Sequence, residues 1–243
     1  MCKRLRIWPF VPLGSQLTST SLLAEGVITM TTSKAVGETI SLAIEANGNV
    51  TIDGALEAGE ANACGFKPFR LKSQTITIRG NVTLLVCADN QLTSLNVSGC
   101  STLTRLDCSY NQLTSLNVSG CTALELLYCN DNKLTNLDMS RNTALKTLGC
   151  NDNKLTNLNI SVCTRLMVID CFSNYINGKA MTKLVNSLPK RRRKSRGAIY
   201  LVDRSSKKRD ENSCSTADVT TAKKKNWEVK KYEPSSWVSY SGN

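Results

Sequence analysis

Residues 103–123 read LTRLDCSYNQLTSLNVSGCTA, residues 124–144 LELLYCNDNKLTNLDMSRNTA and residues 145–165 LKTLGCNDNKLTNLNISVCTR, three copies of one 21-residue unit. Counting outward, Cys87, Cys108, Cys129, Cys150 and Cys171 stand in the same slot of successive units. Three places after each comes Asn90, Asn111, Asn132, Asn153 or Asn174. The unit follows L-x-x-L-x-L-x-x-N-x-L with cysteine in the third leucine slot, which is the grammar of a leucine-rich repeat. Each unit is one coil that cannot bury its apolar face alone, so stacked coils share a core. The expected fold is mainly β with α/β elements: a right-handed leucine-rich repeat solenoid with a concave parallel sheet.

In the unit starting at Leu103, the residues expected inside are Leu103, Leu106, Cys108, Leu113, Leu116, Val118 and Cys121. Each buried leucine contributes roughly 1.5–3 kcal/mol. The recurring asparagine is expected to satisfy backbone groups at a corner that neither helix nor sheet serves, where bare groups cost about 1–3 kcal/mol each.

The flanks lack the period. Residues 1–25 read as a disordered or leader-like segment. Residues 26–81 alternate as strands (VITMTT, ETISLAIEA, NVTIDGA, QTITIRGNV), with Asn47-Gly48 expected as a hairpin turn. They form an N-terminal β cap ahead of repeats spanning 82–174. Residues 175–243 read as a basic C-terminal α/β cap: a helix through Met181, Leu184, Val185 and Leu188, the strand GAIYLVD, a capped helix over TADVTTAKKKNWEVKKY with Asp218 near its start, and a terminal Trp-containing strand. With both ends closed, the array reads as complete.

Eight of the 11 cysteines obey the repeat; Cys2, Cys64 and Cys214 do not. Cysteines in stacked coils lie about one strand spacing apart, roughly 4.8 Å. A disulfide wants Cβ atoms about 3.8 Å apart on converging vectors, and zinc wants ligands converging at about 2.3 Å. Buried thiols packing as small hydrophobes are therefore expected, with no cofactor and no metal. A calcium site on Asp89, Asp131 and Asp152 is the weaker alternative, since the dense acidic calcium patterns are missing. The chain has no histidine, which removes Ser-His-Asp and Cys-His nucleophiles, HExxH zinc sites and histidine acid-base chemistry. The reading is that the protein is not an enzyme.

Charge is uneven. Residues 181–243 hold 16 of 31 Lys and Arg against 6 of 19 Asp and Glu, which accounts for ten of the twelve net positive charges. The run KRRRKSR supplies Lys190, Arg191, Arg192, Arg193, Lys194 and Arg196, joined by Lys207, Lys208, Arg209 and Lys223 to Lys225. Such a run binds anionic polymers through charge (nucleic acid, lipopolysaccharide or glycan) or is simply a solvated loop.

The cysteine-bearing 21-residue repeat resembles the leucine-rich repeats of bacterial internalin-type surface proteins over residues 82–174. ITMTTSKAVGETISLAI, LVNSLP, IYLVD, AKKKNWEV and the final YSG resemble flanking segments of secreted leucine-rich proteins from anaerobes. The resemblance implies a secreted or cell-surface adhesion module recognising a protein or glycan. Lys3, Arg4 and Arg6 before IWPFVPL have the shape of a charged leader whose apolar stretch is broken by Pro9 and Pro12, and a cytoplasmic protein is the alternative. No segment is expected to span a membrane.

In such a solenoid the strand residues pointing outward line the concave sheet. Counting from the cysteines selects Arg105, Asp107, Tyr110, Leu126, Tyr128, Asn130, Asp131, Asn151, Asp152 and Phe172 as partner-binding candidates. Leu126, Tyr128 and Tyr110 are expected to form an exposed apolar and aromatic patch. Asp131 and Asp152 are expected to form an acidic edge suited to a basic partner.

Overall fold

The computed structural model describes residues 26–203, 210–233 and 236–242. Its elements are β1 (Val27–Thr32), β2 (Thr39–Asp53), β3 (Ala55–Glu57), β4 (Lys67–Leu71), β5 (Thr75–Val86), β6 (Leu92–Asn96), β7 (Arg105–Asp107), β8 (Leu126–Tyr128), β9 (Thr147–Gly149), β10 (Val168–Asp170), α1 (Gly178–Ser187), β11 (Gly197–Asp203), α2 (Thr216–Lys224), β12 (Trp227–Glu233) and β13 (Ser236–Ser239). One sheet runs through the molecule in the order β13-β12-β11-β10-β9-β8-β7-β5-β2-β4-β3. From β5 to β12 it is parallel, and it is the inner wall of a right-handed solenoid. Among the described residues no helix is long and apolar enough to cross a membrane.

The repeat strands are only three residues long because each coil leaves the sheet soon after its cysteine. Cys108, Cys129 and Cys150 still donate their backbone N–H across to Tyr128, Gly149 and Asp170, each at 2.8 Å. Two residues later Asp89, Tyr110, Asp131, Asp152 and Ser173 take φ between 52° and 56°, the left-handed corner. Aspartate tolerates that conformation better than tyrosine does. The seven residues assigned to the core of the second unit are all buried, Leu103, Cys108, Leu113, Val118 and Cys121 completely.

The corner asparagines form a hydrogen-bonded ladder. Asn132 Nδ2 donates to the carbonyls of Cys108 (3.0 Å), Cys129 (3.2 Å) and Asn130 (3.3 Å), and its Oδ1 accepts from Leu113 N at 2.9 Å. Asn111, Asn153 and Asn174 repeat this pattern. Each side chain thus closes its own corner and ties it to the preceding coil.

Both ends of the ladder are completed by residues outside the period. At the first rung Asn90 exchanges bonds with the backbone of Ser41 in β2, donating to its carbonyl at 2.8 Å and accepting from its N–H at 2.9 Å. At the last, Asn212 donates to the carbonyls of Cys171 (2.7 Å) and Leu201 (2.9 Å) and accepts from Ile176 N (2.8 Å). Asn212 is the rung after Asn174, at a spacing no 21-residue count reaches. Cys214 is likewise buried and adds to the upward push on the Cys171 thiol.

The cysteines of the two rows and Cys214 are free thiols. Burial is the main cause that lifts these buried thiols, pushing Cys129 up to about 12 from an ordinary 9.0. In the second cysteine row (Cys100, Cys121, Cys163), coil three has Asn142 instead. Asn142 is fully buried and donates to the carbonyls of Val118 and Cys121, each at 3.0 Å.

Two expectations are corrected. Asn47-Gly48 is no hairpin turn: β2 continues through it, pairing antiparallel with β5 on both sides and bulging between Asn47 and Thr51. Gly48 has φ 95°, which satisfies the bulge. Opposite it, a side chain on Gly80 would collide with the carbonyl of Asn49, so the bulge and the glycine belong together. The long β5 offers a template that the two halves of β2 use in place of each other. The second C-terminal helix is also shorter than expected. A capping box between Ser215 and Asp218 starts α2, but the helix stops at Lys224 and Asn226 turns at φ 62°. WEVKKYE becomes β12 because Trp227 is buried against Gly197, with Nε1 donating to Pro189 O at 2.7 Å.

β1 lies antiparallel to both β5 and β6, covering the first coil on its sheet side and its return side. At the other end β11 and β12 extend the parallel sheet, with α1 and α2 as return paths. The leader-like segment 1–25 lies outside the described residues.

Candidate functional site

Strand register places the displayed residues in rows. One row runs Leu84, Arg105, Leu126, Thr147, Val168, Ala198, Glu228, and the next runs Val86, Asp107, Tyr128, Gly149, Asp170, Tyr200, Lys230. Past the strand ends come the left-handed corners. Between the second row and the corners lies a groove of about 320 Å³ lined by Asp107, Ser109, Tyr110, Tyr128, Asn130, Asp131, Asn151, Asp152, Asp170 and Phe172.

Local structure sets the shape of this groove. Gly149 is what allows Tyr128 to lie down: a Cβ there would come within 2.7 Å of Tyr128 Cδ1. The ring spreads over the next strand, so Tyr128 and Leu126 are half-buried and Tyr110 alone of the expected patch is exposed. The exposed patch anticipated from sequence is therefore a groove wall. At the C-terminal end, Phe172 packs on Trp237 with ring centroids 5.0 Å apart. Trp237 also meets Tyr200 (4.7 Å) and Tyr232 (5.1 Å) edge-on. Such pairs add roughly 0.5–1.5 kcal/mol beyond area burial, which fixes the Phe172 face.

The polar lining is ordered too. Asn130 Nδ2 donates to Asp131 Oδ2 at 3.0 Å, and Asn151 Nδ2 to Asp152 Oδ2 at 2.9 Å, the same pair one coil apart. Asp107 Oδ1 accepts from the N–H (3.0 Å) and hydroxyl (2.5 Å) of Ser109. Burial raises the Asp107 carboxyl above its ordinary value, and the Ser109 bonds pull the other way. Among the described residues, no group of three or more His, Cys, Asp or Glu is placed to hold a metal ion.

Of the ten partner-binding candidates, the structure gathers Asp107, Tyr110, Tyr128, Asn130, Asp131, Asn151, Asp152 and Phe172 around the groove. Arg105 and Leu126 sit on the neighbouring row and do not line it. Ser109 and Asp170 join the lining, and counting from Cys108 and Cys171 already places them in displayed slots. Trp237, which buttresses Phe172, carries no periodic signal.

The basic run folds as a tight turn held against the α2–β12 corner. Arg191 N donates to Lys225 O (2.9 Å), Asn226 Nδ2 to Arg191 O (2.7 Å), and Ser195 N to Arg192 O (2.9 Å). Lys190, Arg192, Arg193, Lys194, Arg196, Lys223 and Lys224 are exposed together, while Arg191 is half-buried with Nη2 on Ser195 Oγ at 3.3 Å. Lys225 belongs to structure: its Nζ donates to the carbonyls of Asn186 and Leu188 at the end of α1. Lys207, Lys208 and Arg209 lie outside the described residues.

The chain matches no protein-family model and no curated protein. Among solved structures it is similar to the functional domain of InlJ from Listeria monocytogenes, described as including a cysteine ladder. Identity there is 27%, the TM-score is 0.48, and the match covers 63% of this chain and 30% of that one. It is also similar to an internalin, inlF, of Listeria monocytogenes (16% identity, TM-score 0.40, 60% of this chain and 46% of that one). The chain thus spans less than half the length of either.

Proposed function

We propose that the protein is a non-enzymatic binding module that recognises a protein or glycan partner through the concave face of its solenoid, as an adhesion protein at a cell surface or outside the cell does. The observation that carries this reading is the groove: aromatic and polar side chains converge there on a rigid parallel sheet whose other face is the core. Convergent polar groups beside aromatic walls in a concavity are features of binding sites, and here seven of the ten lining residues are Asp, Asn or Ser. The segments before and after the repeats act as caps, since Ser41 and Asn212 complete the asparagine ladder at its two ends.

The test is an array of purified cell-surface proteins and glycans probed with labelled full-length chain. Tyr128→Ala combined with Phe172→Ala is expected to abolish the signals while circular dichroism stays unchanged. Asn117→Arg, on the return side, is expected to leave them intact. Undiminished binding by the double variant would sink this reading.

A second reading is favoured by the pinned turn at 191–196, which brings two separate basic runs onto one surface. That surface binds an anionic polymer. Affinity for heparin is expected to fall steeply with salt and to be lost when Arg192, Arg193 and Lys194 become glutamine; binding indifferent to salt would exclude it.

A further inference from the structure

We propose that the N-terminal cap carries a docking cup for the chain's own leading segment, in which Ile7 to Leu13 (IWPFVPL) seat. The cup shares no residue with the concave groove, so this stands apart from the concave-face reading.

β2 is long enough to curl. Its first residues pair with β4, and β3, which prolongs it past Gly54, pairs with β4 as well. The curl surrounds an open cup of about 640 Å³, well inside the roughly 300 to 1,000 Å³ of ligand sites. Nine of its fourteen lining residues carry apolar side chains. Phe69 belongs to the buried core of the cap, Ile44, Val50 and Ile52 are half-buried against that core, and Leu56 is 52% exposed. The two charged lining residues, Glu57 and Lys67, pair with each other at 2.6 Å. What the cup offers an occupant is therefore apolar surface.

The place where the chain enters the fold points to that occupant. Val27 pairs with Arg79 and Arg79 with Thr51, so β1 begins level with the β2 bulge and two strand spacings from it, roughly 10 Å. Gly26 O accepts from Gly80 N at 3.1 Å, and Gly80 abuts Asn49 and Val50, both in the cup wall. Leu13 stands 13 residues before Gly26, a tether of up to about 43 Å. The cup is well within its reach.

The segment has the matching chemistry. Ile7, Trp8, Phe10, Val11 and Leu13 fall within seven residues. Pro9 and Pro12 lack the N–H that would extend a ladder and favour an extended backbone, so the segment docks through its side chains at low ordering cost. Charge agrees: residues 39–66 hold Glu45, Asp53, Glu57 and Glu60 and no lysine or arginine, whereas residues 1–24 hold Lys3, Arg4 and Arg6 and no acid.

Tryptophan emission of the full chain reads the seat, with a Trp8→Phe chain subtracted to remove the signals of Trp227 and Trp237. Ligand sites bury roughly 70–90% of their occupant, so Trp8 is expected to be about threefold or more less accessible to acrylamide than in a Leu56→Asp chain, which puts a carboxylate in the cup. Leu56 is exposed, and that variant should keep its circular dichroism spectrum. Phe10→Ser, which alters the segment and leaves the cap intact, should expose Trp8 likewise and serves if Leu56→Asp does not fold. A fully accessible Trp8 in the native chain overturns the inference, as does protection that survives both variants. Protection lost on dilution overturns the intramolecular seat and gives the cup to the segment of a second copy.

Discussion

The repeated coils and the two ends of this molecule solve one problem by different means. Within residues 82–174 every corner is closed by an asparagine at a fixed interval, so a single rule serves four successive coils. At the ends the same bonds are made by the backbone of Ser41 and the side chain of Asn212, which obey no interval. What is shared is the demand of the buried backbone groups; the sequence position of the group that meets it is free. A solenoid is thus extended or stopped by supplying the next rung from whatever chain segment is near.

The largest expected effect compares rungs. Asn132→Ala leaves Leu113 N without its acceptor and takes one of two donors from each of three carbonyls, and should cost about 2–4 kcal/mol, since a bare buried group costs about 1–3 and a lost hydrogen bond about 0.5–1.5. If the C-terminal segment truly continues the ladder, Asn212→Ala costs nearly as much. Urea unfolding measures both; a loss below about 1 kcal/mol for Asn212→Ala would make that segment an appendage.

Next come the glycines of the coil junctions. Gly120 shares its slot with Arg141 and Val162, so the repeat suggests that any residue is tolerated there. In the structure a Cβ on Gly120 would run into the backbone carbonyl of Ser98, whereas Gly99 faces open space. Gly120→Val is expected to cost about 2 kcal/mol through overpacking, and Gly99→Val well under 1. Equal midpoints in thermal unfolding would remove the distinction between first and later coils.

The thiol ladder gives a pH signature. Cys129 is held near 12 by burial, while the unfolded thiol titrates near its ordinary 9.0. The unfolded chain therefore loses its proton first. This contribution is fully present below pH 9 and is lost as pH rises from there toward the folded value. Urea midpoints at pH 8, 9 and 10 should fall more steeply for the native chain than for Cys129→Ala. By the same comparison, Cys129→Ser and Cys214→Ser should each destabilise by about 1–3 kcal/mol, and Cys64→Ser, in a loop, should not.

The smallest expected effect concerns the left-handed corners. Asp131 and Asp152 adopt them readily and Tyr110 does not. Tyr110→Asn should raise stability by up to about 1 kcal/mol. Unchanged or lowered stability would mean that the tyrosine ring contributes more than its backbone strain costs.

The repeat was legible because burial and corner geometry recur with it: the same count that found Cys108 and Asn111 also assigned the inside residues. The groove was legible in its residues and not in its shape. Counting placed Tyr128 on the displayed face, but its lying flat depends on Gly149 in the next strand, a relation between coils that one unit cannot contain. Asn47-Gly48 misled for a similar reason, since a local turn signal yields when a neighbouring strand long enough to pair with both halves is present. Asn212, Cys214 and Trp237 carry no periodicity at all. They are found only once β11 and β12 are seen to prolong the sheet.

That the ladder is continuous from one end to the other is tested most directly by native-state hydrogen exchange of five amides, those of Leu92, Leu113, Leu134, Leu155 and Ile176. Each donates to the next asparagine of the ladder, at 2.8 or 2.9 Å. The account expects all five to exchange with similar protection, through one cooperative opening. An Ile176 amide that exchanges orders of magnitude faster than Leu155 would show that the ladder ends at Asn174, and would contradict it.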